Sequence, residues 1–248
     1  MATRKGKPRA TSREDRAVKT VKEDVAVANR ILAQQGVLDG YGHVSARHPS
    51  DPNRFFLSRS RAPLLVTQAD LMEFDLDSNA LNGDDRNPYV ERFIHGQIYR
   101  ARPDVMAVVH SHSPSVIPFA CSSVRLRPIY HMSAFLHRGA PVFDIRKRFG
   151  STDMLVRNNE QGAALAAELG SGGTALMRGH GFVAVGDTIP IAVYRAIYAQ
   201  TNATLQQSAI ALGGEVTYLS PDEAANYEPT IAATVERPWE LWKKSVPR

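Results

Sequence analysis

Residues 88–113 read PYVERFIHGQIYRARPDVMAVVHSHS, and this stretch decides the architecture. Pro88 is tolerated in a first helical turn and opens a predicted helix through about Ala101. Pro103-Asp104 breaks that helix. VMAVVH (105–110) then reads as a buried strand rich in β-branched residues. In an extended chain, residues i and i+2 point to the same side. His110 and His112 therefore leave the backbone about 6–7 Å apart and can converge on one metal ion. An H-x-H pair alone is often a coincidence of surface or core. Here it gains weight from Glu91 and His95, which lie at i,i+4 on the preceding helix. Left to itself, that pair is a solvated Glu–His interaction of about a few tenths of a kcal/mol.

On the N-terminal side, VKTVKEDVAVANRILAQQG (18–36) is an amphipathic helix with Gly36 at its end. GYGHVSARHP is a glycine-rich turn entering a strand, and FFLSRSRAP is a second strand entering a loop. TQAD (67–70) reads as a helix start or tight turn, and LMEFDLDSNA as a strand and turn. On the C-terminal side, SHSPSVIPFAC is a turn and short helix, and IYHMSAFL, APVFDI and MLV are short elements of strand or mixed character. NNEQGAALAAELG is a helix stopped by Gly170. TALMRGHGFVAVG is a hairpin-like strand pair around Gly179-His180-Gly181, and Thr188 caps a long helix. Alternating helices and strands give an α/β layered domain. The division expected is a disordered basic tail (1–16), one domain (17–219) and a helical extension (220–248). Trp239 and Trp242 would pack that extension on the same domain or on a neighbouring subunit.

The composition bounds the function. With 43% hydrophobic and 22% charged residues, 248 residues suit one soluble domain. A single cysteine, Cys121, excludes an intrachain disulfide framework and a cysteine metal cage. It fits a cytoplasmic location and reads as a small buried hydrophobe. No apolar run approaches the roughly 20 residues of a membrane span. The net charge of +5 lies mostly in residues 1–16, with six Lys/Arg against two Asp/Glu. No basic stripe with interleaved aromatics follows, which argues against nucleic acid.

A third imidazole comes from His180, whose flanking glycines permit a sharp turn and a close backbone approach. Three histidines with an open position make a catalytic metal site. GYGHVSAR, ERFIHGQIYRARPDVMAVVHSHS, GGTALMRGHGFVAVG and a long helix ending in LGG come in one order over about Ala17–Gly214. In that order the chain resembles the class II aldolase/adducin family. The resemblance implies a three-layer α/β/α sandwich with a central, mostly antiparallel sheet. It also implies a homotetramer with active sites between subunits. By the same resemblance, His110, His112 and His180 are metal ligands, and Glu91 is the acid/base glutamate.

Two departures point to one branch of that family. Where the sugar-phosphate aldolases carry a glycine-asparagine turn, this chain has Gly42-His43. Where they carry a Thr/Ser/Gly phosphate cradle, it has Arg59-Ser60-Arg61. Arginine forks suit carboxylates, although loop arginines also simply solvate a surface. His43 adds a titratable group or a hydrogen bond that stabilises the turn. These features resemble decarboxylases of hydroxylated aromatic dicarboxylates, of benzene or pyridine. Such a substrate's hydroxyl and ortho carboxylate would chelate a divalent ion, zinc or manganese, held by three imidazoles. Glu91 or His43 would deliver the proton to the ring, and Arg59, Ser60 and Arg61 would bind the second carboxylate. The main alternative is an aldolase acting on a small non-phosphorylated oxo-acid or sugar. A non-enzymatic, adducin-like scaffold is disfavoured by the intact histidine set. His131 either lines the pocket or is a structural histidine, and His48 and His137 are expected to be exposed.

Overall fold

A computed structural model describes residues 12–246. Helix α1 (Arg13–Gln34) opens on a capping box in which the Ser12 hydroxyl accepts from the Asp15 amide and Asp15 reaches back to the Ser12 amide. Helix α1 thus starts ahead of the expected Ala17. The rest of the basic tail lies outside the described residues.

Seven strands follow: β1 (His43–Arg47), β2 (Arg54–Ser58), β3 (Leu71–Asp75), β4 (Ala107–Ser111), β5 (Val142–Phe143), β6 (Thr174–Met177) and β7 (Gly181–Gly186). They form one sheet in the order β3-β2-β1-β4-β7-β6-β5. Every pairing is antiparallel except β5 with β6. The helices between and after them are α2 (Arg92–Ala101), α3 (Ile117–Cys121), α4 (Ile145–Phe149), α5 (Asn159–Leu169), α6 (Ile189–Ala211), α7 (Pro221–Thr234) and α8 (Glu236–Ser245).

Strand alternation feeds two separate cores. Val44, Ala46, Ala107, Val109, Phe182 and Ala184 face α1, α6 and the C-terminal helices. Phe55, Leu57, Phe74, Val108, Val183 and Val185 face α2 and α5. Helices on both faces of the sheet make the three layers expected. The alternation also has a chemical consequence. His43, Ser45 and Arg47 on β1 share the parity of the face toward α2, as does His110 on β4. His43 and His110 are direct cross-strand partners.

Several local expectations change. The helix expected from Pro88 starts at Arg92, because Pro88 is held in a bridge to Arg59 and Tyr89 packs into the core. Residues His131–Arg138 form 3-10 turns kinked at Ser133, and MLV forms no strand. Cys121 is exposed, its Sγ accepting the Gly179 amide at 3.2 Å. His137 is half-buried, with its Nε2 3.1 Å from Glu228. His48 is also half-buried, and its Nδ1 accepts the Ser50 and Asp51 amides. Trp239 and Trp242 are both buried in the core that includes α1 and α6. Among the described residues, no helix is long and apolar enough to cross a membrane.

Candidate metal centre and its cleft

The end of β4 and the turn into β7 bring four ligand-type side chains together. His110 is the last residue but one of the buried strand β4, and His112 lies just past its end. Gly179, with φ +66°, and Gly181 bracket His180. A Cβ on Gly181 would lie 2.0 Å from the Ser111 carbonyl oxygen, so only glycine lets β7 come so close to β4. Glu91 sits at the N-cap of α2. The ligand atoms of Glu91, His110, His112 and His180 all lie within 4.8 Å of one another.

The hydrogen-bond partners show what this cluster fits. His110 Nδ1 lies 3.2 Å from the Phe182 carbonyl, and His180 Nδ1 lies 3.1 Å from the Met154 carbonyl. A carbonyl can only accept, so each Nδ1 carries the proton and each Nε2 presents a lone pair. Those lone pairs face inward. His112 Nε2 is 3.1 Å from His110 Nε2 and 3.2 Å from His180 Nε2. Glu91 Oε2 is 3.5 Å from His110 Nε2 and 3.3 Å from His180 Nε2. Converging imidazole lone pairs beside a carboxylate repel one another unless a cation lies between them. The outer carbonyl contacts are the orienting partners that metal-bound histidines use. This donor set fits a divalent ion.

The electrostatics follow from burial and the close partners. Burial drives His112 down to about 4, with His110 and His180 adding to the effect. Burial also works against charge on Glu91, but the His110 and His180 imidazoles beside Oε2, whenever their Nε2 atoms carry a proton, hold its carboxyl well below the usual range. Burial opposes a charged His180 too, and the Glu91 carboxylate outweighs it and raises that imidazole. Glu91 Oε1 accepts the Val156 amide at 3.0 Å, which leaves Oε2 turned to the histidines.

The cluster opens into a cleft of about 420 Å³ whose lining includes Tyr41, His43, Ser60, Arg61, Tyr89, Glu91, His112 and Leu155. His43 is 2% exposed, its ring 5.1 Å from that of His110 and 4.5 Å from that of Tyr89. Burial, with His95 and His110 alongside, lowers it well below an ordinary imidazole. Ser60 and Arg61 line the cleft, whereas Arg59 is not among its lining residues. Asp70 holds both arginines: its Oδ1 accepts from Arg59 Nε at 2.7 Å, and its Oδ2 lies 3.4 Å from Arg61 Nε. Arg61 Nε also donates to the Leu65 carbonyl at 2.7 Å. His131 is apart from this cleft, exposed, with its ring edge-on to Tyr227 of α7. Sequence reasoning missed Asp70, Tyr89 and the buried Ser45 and Tyr99 described below. The available signal was the alternation of polar residues at 43, 45 and 47 on a strand buried throughout.

Comparisons with known proteins agree with this geometry. Residues 23–207 match the model of the class II aldolase and adducin N-terminal domain. The chain is 41% identical over 239 residues to decarboxylase tropJ of Talaromyces stipitatus, covering 87% of this chain and 90% of that protein. It is 32% identical over 221 residues to a 3,4-dihydroxyphthalate decarboxylase of Arthrobacter keyseri, covering 82% and 84%. Among solved structures, an aldolase II superfamily protein from Pseudomonas syringae superposes with a TM-score of 0.78 at 21% identity, over 96% of this chain and 94% of that one. The chain therefore belongs to the class II aldolase and adducin family.

Proposed function

We propose that this chain is a metal-dependent decarboxylase of a hydroxylated aromatic carboxylate carrying a second carboxylate. It acts as a carboxy-lyase, in keeping with the decarboxylases it is similar to. The observation that carries the reading is the pairing of two features. Inward-facing lone pairs of His110 and His180 meet Glu91 at one end of a cleft, and Arg61 stands among the residues that line it.

His110, His112 and His180 would hold the ion, zinc or manganese, with Glu91 beside it. When bound, the ion supplies a Lewis acid for a ring hydroxyl and its ortho carboxylate. The chain's own residues do the rest. Arg61 is anchored through Nε by Asp70 and Leu65, which leaves its outer guanidinium nitrogens for the second carboxylate. Arg59 on Asp70 and the Ser60 hydroxyl support that end. Glu91 is ionised at rest, so it first takes the proton that the ring hydroxyl gives up on binding; Glu91 or His43 then delivers a proton to the ring carbon bearing the departing carboxylate. The C–C bond then breaks, carbon dioxide leaves, and the electron pair of that bond restores the aromatic ring. In this reading the protein works as a homotetramer with its sites between subunits. Tyr41 and Val90, exposed and lining the cleft, favour such a neighbour.

A carbon-dioxide-release assay on metal-reconstituted protein tests this. Hydroxylated benzene and pyridine dicarboxylates are expected to release carbon dioxide. Release of pyruvate or an aldehyde from a small oxo-acid, with none of the aromatic acids turned over, would make the protein an aldolase instead.

A further inference from the structure

A chain of four side chains leads away from the cleft into the core between the sheet and α2. His43 Nδ1 is 2.7 Å from His95 Nε2. His95 Nδ1 is 2.6 Å from Ser45 Oγ, and Ser45 Oγ is 2.7 Å from Tyr99 Oη. All four residues are buried. β1 supplies His43 and Ser45, and α2 supplies His95 and Tyr99, one helical turn apart. Arg47 fixes the far end. Its guanidinium lies over the Tyr99 ring at 4.8 Å and donates to the Tyr99 carbonyl at 2.8 Å.

The direction of these hydrogen bonds can be worked out. The Val108 backbone amide also reaches the Tyr99 hydroxyl oxygen, but an N–H can only donate, so Ser45 is the one acceptor for the phenol proton among the described residues. If the chain ran outward in, with His43 Nδ1–H donating to His95 and so on, Ser45 would donate to Tyr99. The phenol proton would then be buried with no acceptor, which folded proteins avoid. Run the other way, every proton is placed. Tyr99 donates to Ser45, Ser45 donates to His95 Nδ1, and His95 Nε2–H donates to His43 Nδ1. That leaves His43 with its proton on Nε2, the nitrogen that has no hydrogen-bond partner among the described residues, on a ring that lines the cleft. Burial disfavours a charge on either imidazole of this pair, so this order holds in the resting protein.

We propose that Tyr99, Ser45 and His95 are positioning residues. They fix the tautomer and ring orientation of His43 so that its Nε2–H is a hydrogen-bond donor to the acid bound in the cleft. The role given to His43 rests on the proposed function. The tautomer does not, because it is set without substrate.

The test is nitrogen-15 spectroscopy of zinc-reconstituted protein labelled at histidine, with His43→Gln and His95→Gln used to assign the signals. Both rings are expected as Nε2–H tautomers. Ser45→Ala removes the directing hydroxyl. It should leave zinc content unchanged, mix the His43 tautomers, and lower kcat by about 10–100-fold with a smaller change in KM. His95→Gln, whose amide can accept from Ser45 and donate to His43, should keep more turnover than His95→Leu. A merely structural role would lower thermal stability without moving the tautomer. An Nδ1–H tautomer of His43 in the unsubstituted protein would overturn the inference, as would unchanged tautomers in Ser45→Ala. If the Nε2–H tautomer is found but no aromatic acid is decarboxylated, the positioning chain stands and the proposed function falls.

Discussion

Glu91 shows how much one residue can do. Its Oε1 is committed to the Val156 amide, and its Oε2 is offered to the histidines. A glutamine can keep the first contact but not the charge. Glu91→Gln should therefore retain bound metal and lose at least ~100-fold in kcat, read by metal analysis beside a turnover assay. Buried His95 makes a second prediction. Burial first, then His110, lowers it from 6.5 to about 3. An imidazole lowered on folding is neutral in the native state and protonates first in the unfolded chain. Its contribution is complete above 6.5 and is lost as pH falls from 6.5 toward 3, by about 1.4 kcal/mol per unit. Urea unfolding at pH 7.5 and pH 5 should show this loss, and His95→Gln should show less of it. At this scale the pairing of His110 with His112 was legible, because the two-residue strand period puts both on one side. The carboxylate that grips Arg59 and Arg61 was not. Asp70 reaches them from a separate 3-10 turn, and only the tertiary fold brings that turn beside the loop.

Between elements, the site depends on how closely backbones approach. Gly181 allows β7 to lie against Ser111, and the residue before it is His180. Gly181→Ala should force the hairpin off β4, cost about 1–3 kcal/mol, and weaken zinc affinity more than stability predicts. Denaturation alongside zinc titration would separate the two effects. The glycines around His180 announced this approach in the sequence. The start of α2 was concealed, since proline is equally at home in a first helical turn and at a sheet edge. Here Pro88 takes the second role, and Glu91 becomes the cap instead of a mid-helix residue. The segment 131–138 mixes apolar and polar residues without a clear period, so its 3-10 form could not be read from pattern.

The whole molecule is a sheet between two cores, and the cluster of Glu91, His110, His112 and His180 stands on the face toward α2. The alternation of apolar residues along short strands made the layering legible, because each strand must satisfy both faces. The C-terminal helices close the opposite core with Trp239, which is 2% exposed. Trp239→Ala should cost about 3–5 kcal/mol and lower the melting temperature by on the order of 10 °C, while the zinc site is kept. The proposed chemistry requires histidines remote in the chain to gather one cation. Equilibrium dialysis against zinc measures this directly, comparing the unsubstituted protein with His110→Ala. The prediction is one tightly held ion per chain, lost in the variant. Zinc bound as tightly and in the same amount by His110→Ala would contradict it.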